Sequence, residues 1–69
     1  VGVTMTEYIN NLRLNYVLSQ LNLTQKNILD ISLEAGFHSV SYLNHLFKKQ
    51  YGVTPSEYRK TRSFLKDKL

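Results

Sequence analysis

Apolar residues recur at helical spacing from the start of the chain. Tyr8, Ile9, Leu12 and Tyr16 form one stripe and Leu14, Leu18 and Leu21 another, which predicts a helix over residues 4–21 with two apolar faces. Such a helix packs on two sides, as a connector between two subdomains or as the central helix of one bundle. Residues 22–26 read as a polar loop interrupted by Leu23. Asn27 then stands as an N-cap, with Asp30 in the capping-box position, and opens a second helix over residues 28–35. Ile28, Ile31, Ser32 and Ala35 fall within about 100° of arc on it, a narrow face of small and branched side chains. Gly36 ends this helix, Phe37 follows as a core anchor, and Ser39 caps a third helix over residues 40–50. Two helices joined by a short turn with Gly at its head are the sequence form of a helix-turn-helix. A fourth helix, about 55–66, has Pro55 at its first position, where the missing N–H costs nothing.

An internal echo sits at an offset of fifty: Gly2-Val3-Thr4-Met5-Thr6-Glu7-Tyr8 matches Gly52-Val53-Thr54-Pro55-Ser56-Glu57-Tyr58 at five of seven positions. Both copies read as a Gly that ends a helix, then a Thr N-cap with Glu three residues on. The second copy follows a full helical unit, whereas the first begins at Gly2, at the start of the sequence. A duplicated architecture would therefore place a unit of about 40 residues before Val1, since repeats bury their faces against neighbours. Chance recurrence of a common helix junction is the alternative, and the shared Gly-Val-Thr and Glu-Tyr weigh against it.

The third helix divides by the same arithmetic. Leu43, Leu46, Phe47 and Gln50 fall on a packing side; Val40, Ser41, Asn44, His45 and Lys48 fall on the other. Tyr42 lies at the edge of the apolar side and reads as half-buried packing. The outward set carries no acid, so nothing on it repels phosphate. Asn44 can pair with adenine in a bidentate manner, His45 can donate to guanine N7 or O6, Ser41 can bond either edge, and Val40 can touch a thymine methyl. Lys48, the basic residues of the last helix, and the backbone N–H groups of Ser56 and Glu57 at a helix N-terminus suit phosphate instead. Taken singly, each of these is an ordinary solvated side chain, and His38 is a loop residue. Their joint placement after a Gly turn favours DNA.

Composition narrows the class. Sixty-nine residues allow one small domain, and eight aromatics in a chain that is 42% apolar are enough for a helical core. The absence of cysteine removes disulfides and thiolate chemistry. His38 and His45, seven residues apart with no acid beside them, make no metal site, and Ser39 and Ser41 lack a nucleophile-elbow glycine pattern, so neither an enzyme nor a cofactor is expected. No apolar run is long enough for a membrane span and no signal peptide opens the chain, which makes a soluble, cytoplasmic protein the default. The net charge of +4 is uneven: Arg13 and Lys26 face Glu7, Asp30 and Glu34 in the first half, whereas Lys48, Lys49, Arg59, Lys60, Arg62, Lys66 and Lys68 outnumber two acids in the second. A polyanion partner or a merely solvated surface would each account for that.

Residues 27–59 resemble the second helix-turn-helix of the AraC/XylS transcription regulators of bacteria. The resemblance is carried by Ile28, Ile31, Gly36-Phe37, Ser41-Tyr42, Phe47-Lys48-Lys49 and Gly52-Val53-Thr54-Pro55-Ser56-Glu57-Tyr58-Arg59, while Thr6-Glu7-Tyr8-Ile9-Asn10 and Leu12-Arg13 resemble the family's linker helix. It implies an all-α fold: a homeodomain-like three-helix unit over 27–69, preceded by a linker helix over 4–21 and by the tail of a first unit at 1–3. Two such units would read successive major grooves of double-stranded DNA roughly 34 Å apart. Val40, Ser41, Asn44 and His45 then take base-contacting positions, and Ser39, Lys48, Lys49, Ser56 and Arg59 phosphate-contacting ones. RNA polymerase would be a partner of the intact regulator. Two departures stand out. Ser32 replaces the family's usual Ala, with its hydroxyl expected to bond back to the backbone one turn earlier. Val40 and His45 replace what are often Gln or Asp and Arg, so the base preference is this helix's own.

The rival reading is a protein-interaction module. Without a leading unit to cover it, the stripe Tyr8, Ile9, Leu12 and Tyr16 would be exposed and would favour docking or self-association.

Overall fold

The computed structural model describes residues 4–68, with side chains through Thr61. Within that span there are four helices: α1 (Met5–Leu23), α2 (Ile28–Ala35), α3 (Val40–Tyr51) and α4 (Pro55–Lys68). The expected tail at residues 1–3 lies outside the described residues, as do the side chains of Arg62, Lys66 and Lys68.

Each helix starts on a residue able to accept an otherwise orphaned N–H. The Thr4 hydroxyl accepts from the Glu7 N–H at 3.1 Å, the Asn27 carboxamide from Asp30 at 2.8 Å, and the Ser39 hydroxyl from Tyr42 at 3.0 Å. At α4 the box is reciprocal: Glu57 N–H donates to the Thr54 hydroxyl at 3.2 Å, and the Glu57 carboxylate accepts from Thr54 N–H at 2.9 Å. The two copies of the echo thus share the Thr cap, and the described contacts close the box only in the second.

α1 runs two residues past its expected end, because Asn22 and Leu23 continue the helix and Thr24 closes it. The Thr24 N–H and hydroxyl both reach the Gln20 carbonyl, at 2.9 and 2.8 Å. The connection to α2 is therefore four residues, 24–27, and is shorter than the polar loop the composition suggested.

α1 lies against each of the other three helices. Leu14, Val17 and Leu21 supply its buried face and meet Ile31 of α2, Phe37 of the turn, and Leu43 and Phe47 of α3. Val17 is fully buried between Leu14 and Leu21, a position the two-stripe reading passed over. Phe47 is the centre of an aromatic group, with the Tyr51 and Tyr58 ring centroids 4.6 and 6.1 Å away. Ser32 is buried, and its hydroxyl donates to the Leu29 carbonyl at 2.8 Å, the local back-bond its setting requires.

Gly36 and Gly52 end α2 and α3 in the left-handed region, with φ of 97° and 86°. At Gly36 space is short as well: a Cβ would stand 3.1 Å from the Arg13 Nε of α1. The turn between α2 and α3 is tied to α1 by Phe37, which is buried in one cluster with Leu14 and Val17.

Candidate nucleic-acid interface

The outward face of α3 follows from which of its residues the core takes. Leu43 and Phe47 are buried; Val40, Asn44, Leu46 and Tyr51 are half-buried; Ser41, Tyr42, His45, Lys48, Lys49 and Gln50 are exposed. With Leu43 and Phe47 as the buried axis, the 100° step puts His45 directly opposite, flanked by Ser41 and Lys48 on one side and Tyr42 and Lys49 on the other.

Measured against expectation, Ser41, His45 and Lys48 stand in the open as required. Val40 and Asn44 lie at the margin of the exposed face, half-covered by the domain. Gln50 does not pack: it is exposed, and with Lys49, Leu46 and Glu7, Asn10, Asn11 and Leu14 of α1 it lines a groove of about 450 Å³ between α1 and α3. Tyr42, expected as half-buried packing, is exposed as well. It is 46% exposed, its ring leans on Phe37 with centroids 6.0 Å apart, and its phenol oxygen accepts from the Asn10 Nδ2 at 3.2 Å. An axis drawn through Leu43 and Phe47 puts Tyr42 about 120° away, on the outward side, whereas including Leu46 turns the axis towards it. The Leu43 and Phe47 axis leaves Gln50 only about 40° from the buried direction, so its exposure is set by the groove beside α1 and not by the wheel.

The phosphate candidates divide by what already occupies them. Ser39 accepts from Tyr42 N–H and keeps its own proton, while the N–H groups of Val40 and Ser41 open at the α3 N-terminus. Lys48 and Lys49 are exposed in the last turn of α3. Ser56 is exposed in the first turn of α4. Of the two N–H groups expected to be open there, Glu57's is taken by Thr54, which leaves that of Ser56. Arg59 is half-buried, and its guanidinium donates to the Lys26 carbonyl and, at 3.5 Å, to that of Thr24. It ties α4 to the loop between α1 and α2. Tyr58 works beside it, its hydroxyl donating to the Asn22 Oδ1 at 2.8 Å.

The electrostatics of this side are not purely basic. Glu57 sits close enough to Lys48 to feel its charge, although its carboxyl is held below the usual range chiefly by the Thr54 backbone N–H, then by the Thr54 hydroxyl. The other ionic cluster joins α1, the α1–α2 loop and α2. Lys26 Nζ bridges both oxygens of Glu34 at 3.0 Å, and Tyr16 donates to the same carboxylate at 3.1 Å. Both ion-pair members are well exposed, so they orient the loop and add little stability.

On the far side of α1, Tyr8 and Leu12 are more than half exposed and Ile9 and Tyr16 somewhat over one third, as the stripe reading expected. Among the described residues, no cluster of His, Cys, Asp and Glu is arranged to hold a metal, and no helix is long and apolar enough to cross a membrane.

Comparison with known proteins matches residues 1–61 to the family described as a helix-turn-helix domain. The melibiose operon regulatory protein of Escherichia coli K12 is 47% identical over 58 residues, covering 84% of this chain and 19% of that protein. The HTH-type transcriptional activator RhaS of Mannheimia succiniciproducens is 40% identical over 58 residues, 84% of this chain and 22% of the relative. The HTH-type transcriptional regulator MtrA of Neisseria gonorrhoeae is 35% identical over 60 residues, 87% and 20% respectively. The chain thus spans about a fifth of the length of these relatives. No solved structure matches it at comparable significance.

Proposed function

The chain belongs to the AraC/XylS-type helix-turn-helix family, a family of DNA-binding transcription regulators, and from that premise we propose that α3 enters the major groove of double-stranded DNA and reads it with Ser41, His45, Asn44 and Val40. The observation that carries this reading is the acid-free exposed face of α3, centred on His45 and starting at a capped N-terminus with open N–H groups. Ser39, Lys48, Lys49 and Ser56 surround that face and contact phosphate, setting register without choosing sequence. Arg59 we assign to holding the α1–α2 loop, since its Nη1 and Nη2 groups each donate to a loop carbonyl there. We further read α2 to α4 as the second of two reading units and α1 as the linker between them. In an intact regulator of this kind RNA polymerase is the protein partner.

One reading helix alone gives affinity near the non-specific range, about 10⁻⁴–10⁻⁶ M at physiological salt. The test is binding of the chain to short duplexes across a salt series. Log affinity falls linearly with log salt, and Asn44→Ala or His45→Ala lowers discrimination between sequences by about 1–3 kcal/mol with the slope unchanged. Absence of both salt dependence and preference would overturn the proposal.

The exposed stripe on α1 favours a second reading, association through Tyr8, Ile9, Leu12 and Tyr16. It predicts a mass that rises with protein concentration and returns to monomer in Leu12→Asp, with DNA making no difference. A constant monomer mass rules it out.

A further inference from the structure

Tyr42, which the sequence placed at the edge of the apolar side of α3 as half-buried packing, is held in the open by two contacts from other parts of the fold. Its ring rests on Phe37, itself 2% exposed, at a tilt of 59°. Its hydroxyl meets Asn10 of α1, 32 residues away in sequence, and among the described residues this is the single hydrogen bond joining α1 to α3. The phenol is therefore fixed from below and from the side, on the exposed arc of α3 next to Ser41 and His45.

The polarity of the bond determines what the tyrosine can do. Asn10 Nδ2 donates and the phenol oxygen accepts, so the tyrosine's own proton is not used in this contact and is left for another acceptor. We propose that Tyr42 is a further DNA-contacting residue, donating from its hydroxyl to an acceptor on the nucleic acid, and that Asn10 is the positioning residue that aims it. The inference rests on the reading of α3 given above. The acceptor chemistry, oxygen or ring nitrogen, is shared by a base edge (guanine O6 or N7, thymine O4) and a backbone phosphate. In either case the helix that precedes the reading unit tunes what the unit binds.

Selection from a pool of randomised duplexes, with affinities measured on the winners, tests it. The proteins compared are the chain, Asn10→Ala, Tyr42→Phe, the double variant and His45→Ala. Asn10→Ala and Tyr42→Phe change the preference at the same base position if the acceptor is a base. If it is a phosphate, both weaken binding to every duplex by a similar factor, about three- to tenfold. In both cases the double variant is no weaker than the worse single one, and the thermal midpoint of Asn10→Ala matches the parent. The proposal is overturned if Asn10→Ala behaves as the parent while His45→Ala loses preference, or if the two effects multiply in the double variant. A lowered midpoint with no convergence on Tyr42→Phe would make Asn10 structural only. Silence of His45→Ala as well would remove the reading of α3 and this inference with it.

Discussion

At Gly36 a backbone requirement and a packing requirement coincide. Its φ of 97° costs an L-residue roughly 1–2 kcal/mol, and a Cβ there would stand 3.1 Å from the Arg13 Nε, so that the guanidinium must give way. Gly52 has the first constraint without the second, since nothing lies within 4 Å of its Cβ position. Gly36→Ala therefore lowers stability more than Gly52→Ala in denaturant melts, the latter by about 1 kcal/mol; equal losses would remove the role given to Arg13. Ser32 gives the opposite expectation. Its hydroxyl serves only its own helix, through the Leu29 carbonyl, so Ser32→Ala changes stability by less than about 0.5 kcal/mol and favours the folded state if it changes it at all. The sequence already told that Gly36 is a stop and Ser32 back-bonds. It could not tell that Arg13, 23 positions earlier, closes over the glycine, because nothing local encodes that contact.

Among the elements, α1 holds the unit together. It meets α2 through Tyr16 and Glu34, α3 through Asn10 and Tyr42, and α4 through Asn22 and Tyr58, above the buried face of Leu14, Val17 and Leu21. The ends of all four helices were legible to within two residues, because caps and glycines are local signals. The outward arc of α3 was less so: the wheel put Gln50 on the packing side and Tyr42 at its edge, and both are exposed, since α1 leaves a groove at Gln50 instead of covering it. α4 yields two separable effects of one residue. The Glu57 carboxyl is held down by Thr54, so its contribution is present above the ordinary glutamate range and is lost as pH falls through the lowered value. Melts of Glu57→Ala accordingly show a shallower loss of stability on acidification than the parent; parallel curves would contradict the capping account. Glu57→Gln retains a capping side chain and removes a negative charge near Lys48, so DNA affinity at low salt rises by about two- to fivefold and the gain fades at high salt.

For the whole molecule, the acid-free outward face of the third helix after a Gly turn and the resemblance carried by residues 27–59 had pointed to a DNA reader before any contact was visible, and the family match agrees with that class. The fold adds a division of faces. One side carries Ser41, Tyr42, His45, Lys48 and Lys49 on α3 with Ser56 beside them, and the other carries Tyr8, Ile9, Leu12 and Tyr16 on α1. Whichever face responds to DNA identifies the working surface. Amide chemical-shift mapping during titration with a short duplex reads this directly, and it tolerates the weak affinity of a single reading helix. The predicted result is a set of shifts concentrated at residues 39–49 and 54–57, with the α1 stripe unmoved at constant protein concentration. Shifts confined to residues 8–16, or none at all up to saturating duplex at low salt, would contradict the account.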